Sequence, residues 1–132
     1  MLVIDASVTM AWCFEDEATP ASERVLDRLA QEQAAVPAIW PLEIANVLLV
    51  AERRKRLSEA QVRRFLDLLT QLPIEIDDTP TDADTVVAVG RRHGLSAYDA
   101  SYLVLAERRG LALATLDDRL AAAARDAGVP LV

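Results

Sequence analysis

Four carboxylates stand where an α/β chain can gather them: Asp5, Glu43, Asp99 and Asp117. Asp5 follows the apolar run Met1-Leu2-Val3-Ile4, and Asp117 closes the short segment Ala114-Thr115-Leu116. Glu43 lies near the start of a mostly apolar helical stretch, and Asp99 in the first turn of another. Aspartate is depleted in strands, and a buried carboxylate without a partner is costly. Asp5 is therefore the hardest of the four to explain by structure alone. Carboxylates brought together raise one another's pKa values and need a cation or shared protons. Mg²⁺ and Mn²⁺ are hard ions that prefer oxygen ligands. Such an ion makes a bound water a better nucleophile and neutralises charge on a phosphoryl oxygen. The chemistry indicated is metal-assisted hydrolysis, with phosphodiesters the natural substrate.

Three of the acids also have local explanations. Ser96 and Asp99 nearly form a capping box, with Asp in place of Glu or Gln. Asp117 can cap the last helix, with Asp118 a first-turn acid beside it. Glu43 shares a helical stripe with Val47 and Val50, and Asn46 stands one turn away. A carboxylate and an amide on an apolar stripe need a partner or a pocket. Thr115 either orients the site by hydrogen bonding or is an ordinary β-branched strand residue.

The elements that must hold these residues alternate. Residues 1–5, 35–39, 74–76, 111–115 and 129–132 read as strands. Between them, Ser7 caps a short helix and Glu15-Asp16-Glu17 reads as a loop. Thr19-Pro20 opens a helix with an N-cap and an N1 proline. Pro41 starts a helix reaching about Arg54, and Ser58 with Gln61 forms a capping box flanked by the staple residues Leu57 and Val62. Further helices begin near Thr81, Ser96 and Asp117, and stop near His93-Gly94, Arg109-Gly110 and Gly128. Alternation of this kind implies a parallel sheet covered on both faces. Ligands of such sheets gather at the carboxyl ends of the strands. If the strands ending near Asp5 and Asp117 are neighbours, their carboxylates lie side by side.

The chain has 132 residues, 52% of them hydrophobic, which predicts one globular domain over residues 1–132. No apolar run approaches the roughly 20 residues of a membrane span, and the opening residues read as strand rather than leader. The expected location is cytoplasmic, with no membrane partner. Cys13, the single cysteine, excludes a CxxC metal site and a disulfide framework. The net charge of −7 argues against gripping nucleic acid with the whole surface. The basic residues are nonetheless clustered, as Arg53-Arg54-Lys55-Arg56 and as the pairs Arg63-Arg64, Arg91-Arg92 and Arg108-Arg109. They serve either as complements to helix C-terminal dipoles or as phosphate contacts.

Taken in order, Val3-Ile4-Asp5-Ala6-Ser7-Val8, Glu43-Ile44-Ala45-Asn46-Val47-Leu48, Tyr98-Asp99-Ala100-Ser101-Tyr102-Leu103 and Ala114-Thr115-Leu116-Asp117 resemble the PIN domain. In particular they resemble the VapC-type toxin ribonucleases of toxin–antitoxin pairs. The resemblance spans almost the whole chain. It implies a three-layer α/β sandwich with a five-stranded parallel sheet, flanked by about seven helices. It further implies a Mg²⁺- or Mn²⁺-dependent endoribonuclease, a homodimer, and a cognate VapB-like antitoxin as partner. Carried over by residue, Asp5 and Asp99 are the metal ligands, and Asp117 completes the acidic cluster. Glu43 holds or helps deprotonate a water on the metal. Asn46, Thr115 and Asp118 are supports, and Arg53, Arg54 and Arg56 are candidate RNA contacts.

Rival classes fit less well. By resemblance, receiver domains and haloacid-dehalogenase-like phosphatases need a lysine after a later strand. Lys55, the one lysine, sits instead in a basic helix end, and Ser7 stands where the phosphatases place a second Asp. His93 is the sole histidine, in a helix-terminal Arg-Arg-His-Gly run, which disfavours a histidine general base. A housekeeping RNA-processing PIN nuclease and a catalytically inactive PIN-like binding module remain as alternatives.

Overall fold

A computed structural model describes residues 1–132. In chain order the elements are β1 (Leu2–Ile4), α1 (Ala6–Ala11), a 3-10 turn (Glu15–Glu17), α2 (Pro20–Arg28), β2 (Ala34–Pro37) and α3 (Trp40–Arg53). They continue with α4 (Glu59–Thr70), β3 (Ile74–Asp77), α5 (Ala83–His93), α6 (Ala97–Arg109), β4 (Ala112–Ala114) and α7 (Asp118–Ala127). The sheet is parallel throughout, in the order β3-β2-β1-β4. Leu2, Val3 and Ile4 of β1 and Ala34, Ala35 and Val36 of β2 are fully buried, as expected of central parallel strands with helices on both faces. No helix is long and apolar enough to cross a membrane.

The sheet has four strands, not the five expected. Beyond Gly128 the chain makes only an isolated parallel bridge, Leu131 to Leu113. Two backbone bonds hold it, Leu113 N–H to Pro130 O at 2.8 Å and Val132 N–H to Leu113 O at 3.0 Å. Pro130 has no N–H to offer a ladder, so the segment pairs without becoming a strand. Seven α-helices are present.

Local chemistry explains most boundaries. Thr19 and Ser58 cap α2 and α4 in reciprocal capping boxes. Helices α5, α6 and α7 end on Gly94, Gly110 and Gly128 in the left-handed region, where a Cβ is disfavoured. Asp82 rather than Thr81 opens α5, by accepting from Asp84 N–H at 3.1 Å. Asp5 rather than Ser7 caps α1. Residues 38 and 39 belong to the turn into α3, which places Pro41 second in that helix. Strand β4 stops at Ala114, so Asp117 lies in the turn after it.

Between α3, α4 and the outer strand β3 lies a hollow of about 600 Å³, lined by Trp40, Ile44, Leu48, Leu66, Leu69 and Ile76 among others. It holds none of the four acids. Asp5 and Asp117 lie instead at the carboxyl ends of β1 and β4.

Candidate active site

The turn after β1 is where the sheet hands over to the site. Strands β1 and β4 are hydrogen-bonded neighbours, with Ile4 opposite Ala114, so Asp5 and the 115–117 turn emerge side by side. Asp5 is 4% exposed, and its carboxylate accepts three hydrogen bonds. Oδ1 accepts from Ser7 Oγ at 2.6 Å and from Val8 N–H at 3.0 Å. Oδ2 accepts from Thr115 Oγ1. The same hydroxyls tie down the neighbouring turn: Leu116 N–H donates to Ser7 Oγ at 2.9 Å, and Asp117 N–H to Thr115 Oγ1 at 3.0 Å. A carboxylate has about four lone-pair sites. The three donors leave one on Oδ2.

Asp99 is the electrostatic hub. Burial raises its pKa most, and the Asp117 charge raises it further, while Arg119 on α7 opposes them. Asp99 in turn adds to the upward shift of Asp5 and of Glu43, both of which are raised chiefly by burial. The cap at α6 is not reciprocal. Ser96 Oγ accepts from Asp99 N–H at 3.1 Å, but no bond returns to the Ser96 backbone. The near-capping box is thus half made, unlike the complete boxes of α2 and α4.

Glu43, in the first turn of α3, is half-buried. Its partner is the Tyr102 phenol, which donates to Oε1 at 2.6 Å. Asp117 caps α7, accepting from Leu120 N–H on Oδ1 at 2.9 Å. It remains exposed, as do Asp118 and Asn46.

Four acids from β1, α3, α6 and α7 therefore act on one another. Three residues that support the acids were not read as such from the sequence, where Ser7 stood only as a helix cap. Ser7 and Tyr102 sit inside the motifs around Asp5 and Asp99, and only their hydrogen bonds reveal what they do. Arg119 is signalled by a cation two places after Asp117. Among the candidate RNA contacts, Arg56 is already engaged. It pairs with Asp16 at 2.8 Å and Glu17 at 3.4 Å and lies over the Phe14 ring at 3.9 Å. Arg53 and Arg54 are exposed and form no ion pair at the end of α3. Arg108 and Arg109 are bound to Asp77 and Glu75 on β3.

Residues 2–126 match the model of the PIN domain. The chain belongs to the PIN-domain family. A curated relative, Ribonuclease VapC3 of Pyrobaculum aerophilum, is 32% identical over 122 residues, covering 91% of this chain and 92% of the relative. The crystal structure of PAE2754 from the same organism superposes on this PIN domain with a TM-score of 0.73 at 27% identity, covering 92% of this chain and 83% of that one. A toxin–antitoxin complex from Klebsiella pneumoniae shares the fold at a TM-score of 0.60 and 22% identity, covering 89% and 87% of the two chains.

No three His, Cys, Asp or Glu side chains of this PIN domain stand close enough to form a ready-made metal cage. The donors are carboxylate and hydroxyl oxygens, with no thiol or imidazole among them. Such a set fits a hard divalent cation that takes one or two carboxylates and keeps water in its remaining positions.

Proposed function

We propose that this chain is a VapC-type ribonuclease, the toxin of a VapBC-type toxin–antitoxin pair, hydrolysing RNA phosphodiester bonds with Mg²⁺ or Mn²⁺. The observation that carries this reading is the carboxyl end of the sheet, where the pairing of β1 with β4 sets Asp5 beside the Thr115–Asp117 turn and the Tyr102 phenol ties Glu43 to the helix that bears Asp99. Carboxylates gathered at one end of a sheet need a cation or shared protons, and a relative named as a VapC ribonuclease matches over nine-tenths of both chains.

Asp5 and Asp99 would hold the cation, Asp5 through the lone pair left on Oδ2. When bound, the cation supplies Lewis-acid polarisation of the scissile phosphate and a lowered pKa for water. The chain's own residues do the positioning. Ser7, Val8 and Thr115 hold Asp5 in one orientation, so no reorganisation is needed at the moment of reaction. Glu43, with a pKa raised by burial, is suited to take the proton of the attacking water. Asp117 adds charge at the mouth, and Thr115 ties its turn to Asp5. Asn46 and Asp118 stay at the rim. Arg53 and Arg54, unpaired on an otherwise acidic chain, are the proposed phosphate contacts.

The proposed partners are an RNA substrate, a VapB-like antitoxin and a second copy of the chain. Leu42, Leu49 and Leu68 on α3 and α4 are 67%, 49% and 53% exposed, the kind of apolar surface that protein partners cover. Induced expression without an antitoxin tests the toxin reading. Growth should arrest with the wild-type chain and continue with Asp99→Asn. Normal growth with soluble, RNA-cleaving wild-type protein would favour an RNA-processing nuclease instead.

A further inference from the structure

We propose that Tyr102 is a positioning residue whose phenol aims the Glu43 carboxylate at the attacking water. The proposal rests on the reading of Glu43 as the group that takes that water's proton. Tyr102 Oη donates to Glu43 Oε1 at 2.6 Å, the one side-chain hydrogen bond that Glu43 makes. The bond links α6 to α3 across 59 residues of sequence. The Tyr102 ring is 1% exposed and part of the main core cluster, so its hydroxyl is fixed in space by packing.

Tyr102 stands three residues after Asp99 on α6, and residues so spaced share a helix face. One rigid helix therefore sets the position of Asp99 directly and that of Glu43 through the phenol. The charged groups around the pair are both acids, Asp99 on α6 and Asp5 at the end of β1. Repulsion from Asp99 drives the Glu43 carboxylate toward solvent, and the phenol is the donor that opposes it. With one site on Oε1 taken by the phenol, the remaining acceptor sites of the carboxylate are left for the water. A flexible glutamate is thereby held in a single reacting pose, the kind of restraint whose loss costs up to about a hundredfold in rate.

The test is steady-state cleavage of a 5′-labelled, mixed-sequence RNA transcript in Mg²⁺, comparing the full chain with Tyr102→Phe, Glu43→Asp and Glu43→Gln. Tyr102→Phe removes only an oxygen from the core. Glu43→Asp keeps the charge but withdraws it from the phenol, without touching the core. Both should lower kcat by roughly 10- to 100-fold, with KM within about twofold, since neither contacts RNA away from the reacting atoms. In Tyr102→Phe the acid limb of the pH–rate profile should also move to higher pH, because Glu43 loses the donor that favours its ionised form. A purely structural tyrosine would lower the melting temperature and leave kcat and that limb alone. Unchanged kcat in Tyr102→Phe or in Glu43→Asp, with Glu43→Gln inactive, overturns the role of Tyr102. An active Glu43→Gln overturns the reading of Glu43 beneath it.

Discussion

Asp99 shows at the scale of one residue what the site costs the fold. Its carboxyl is raised above the ordinary 3.8 by burial first and Asp117 second. The folded chain therefore holds this proton more tightly than the unfolded chain does. Stability falls as pH rises from the unfolded pKa through the folded one, and at neutral pH the ionised group is a net burden. Asp99→Asn removes the charge and leaves the Ser96 cap in place. Without divalent cations at pH 7 the variant should melt higher than wild type. The gain should vanish below about pH 4, where both states of wild type are protonated. Melts in EDTA at pH 7 and pH 3.5 check this; a lower melting temperature for Asp99→Asn at pH 7 would place the burden elsewhere. Stability given up at a functional site in this way is common.

At the scale of elements, the contrast is Asp77. It ends β3 and is held down to about 2, mainly by the Arg108 hydrogen bond. Arg108 and Arg109 reach it at 2.8 and 3.3 Å, fastening α6 to the outer strand. The sign here is opposite. The native carboxylate resists protonation, so its stabilisation is complete above about pH 4 and is lost as pH falls toward 2. Both arginines are partly exposed and screened by solvent, so the contribution is on the order of 1 kcal/mol. Asp77→Asn should lose about that much in urea unfolding at pH 7 and converge with wild type near pH 2. An equal gap at both pH values would mean that packing, not charge, is responsible. These arginines sit at a helix end and were candidates for nucleic-acid contact on sequence alone. Their partners lie 31 to 34 positions away, beyond the reach of any local pattern.

Elements were legible where local chemistry decides them. The caps at Thr19 and Ser58, the stops at Gly94, Gly110 and Gly128, and the alternation of strand and helix all carry side-chain signatures. The segment after Gly128 misled because Val-Pro-Leu-Val has strand composition, while Pro130 lacks the N–H that a ladder requires. Asp5 was legible as an odd residue but not as the cap of α1, since Ser7 beside it is an equally good capping type.

At the scale of the molecule, the parallel sheet turns four distant motifs into one locus. Pairing of β1 with β4 puts Asp5 beside Thr115, across 110 residues of sequence. Helices α3 and α6 bring Glu43 and Asp99 to the same end, and the Tyr102 bond fixes their relation. The family was legible from the order of the motifs, and the match over residues 2–126 bears it out. The caps at Ser96 and Asp117 were legible, but the bonds that join the acids' elements were not, because Thr115 with Asp5, Leu116 with Ser7 and Tyr102 with Glu43 depend on tertiary proximity. The chain stays acidic overall at −7, so the proposed RNA contacts fall to local arginines rather than to the surface as a whole.

If these acids form one cation-dependent hydrolytic site, cleavage of a labelled RNA transcript by purified wild-type and Asp5→Asn protein, each with Mg²⁺ and with EDTA, will show it. Wild type should cleave in Mg²⁺ and not in EDTA, and folded Asp5→Asn should lose at least roughly a hundredfold in rate. Cleavage by Asp5→Asn at the wild-type rate, or by wild type at full rate in EDTA, would rule the site out.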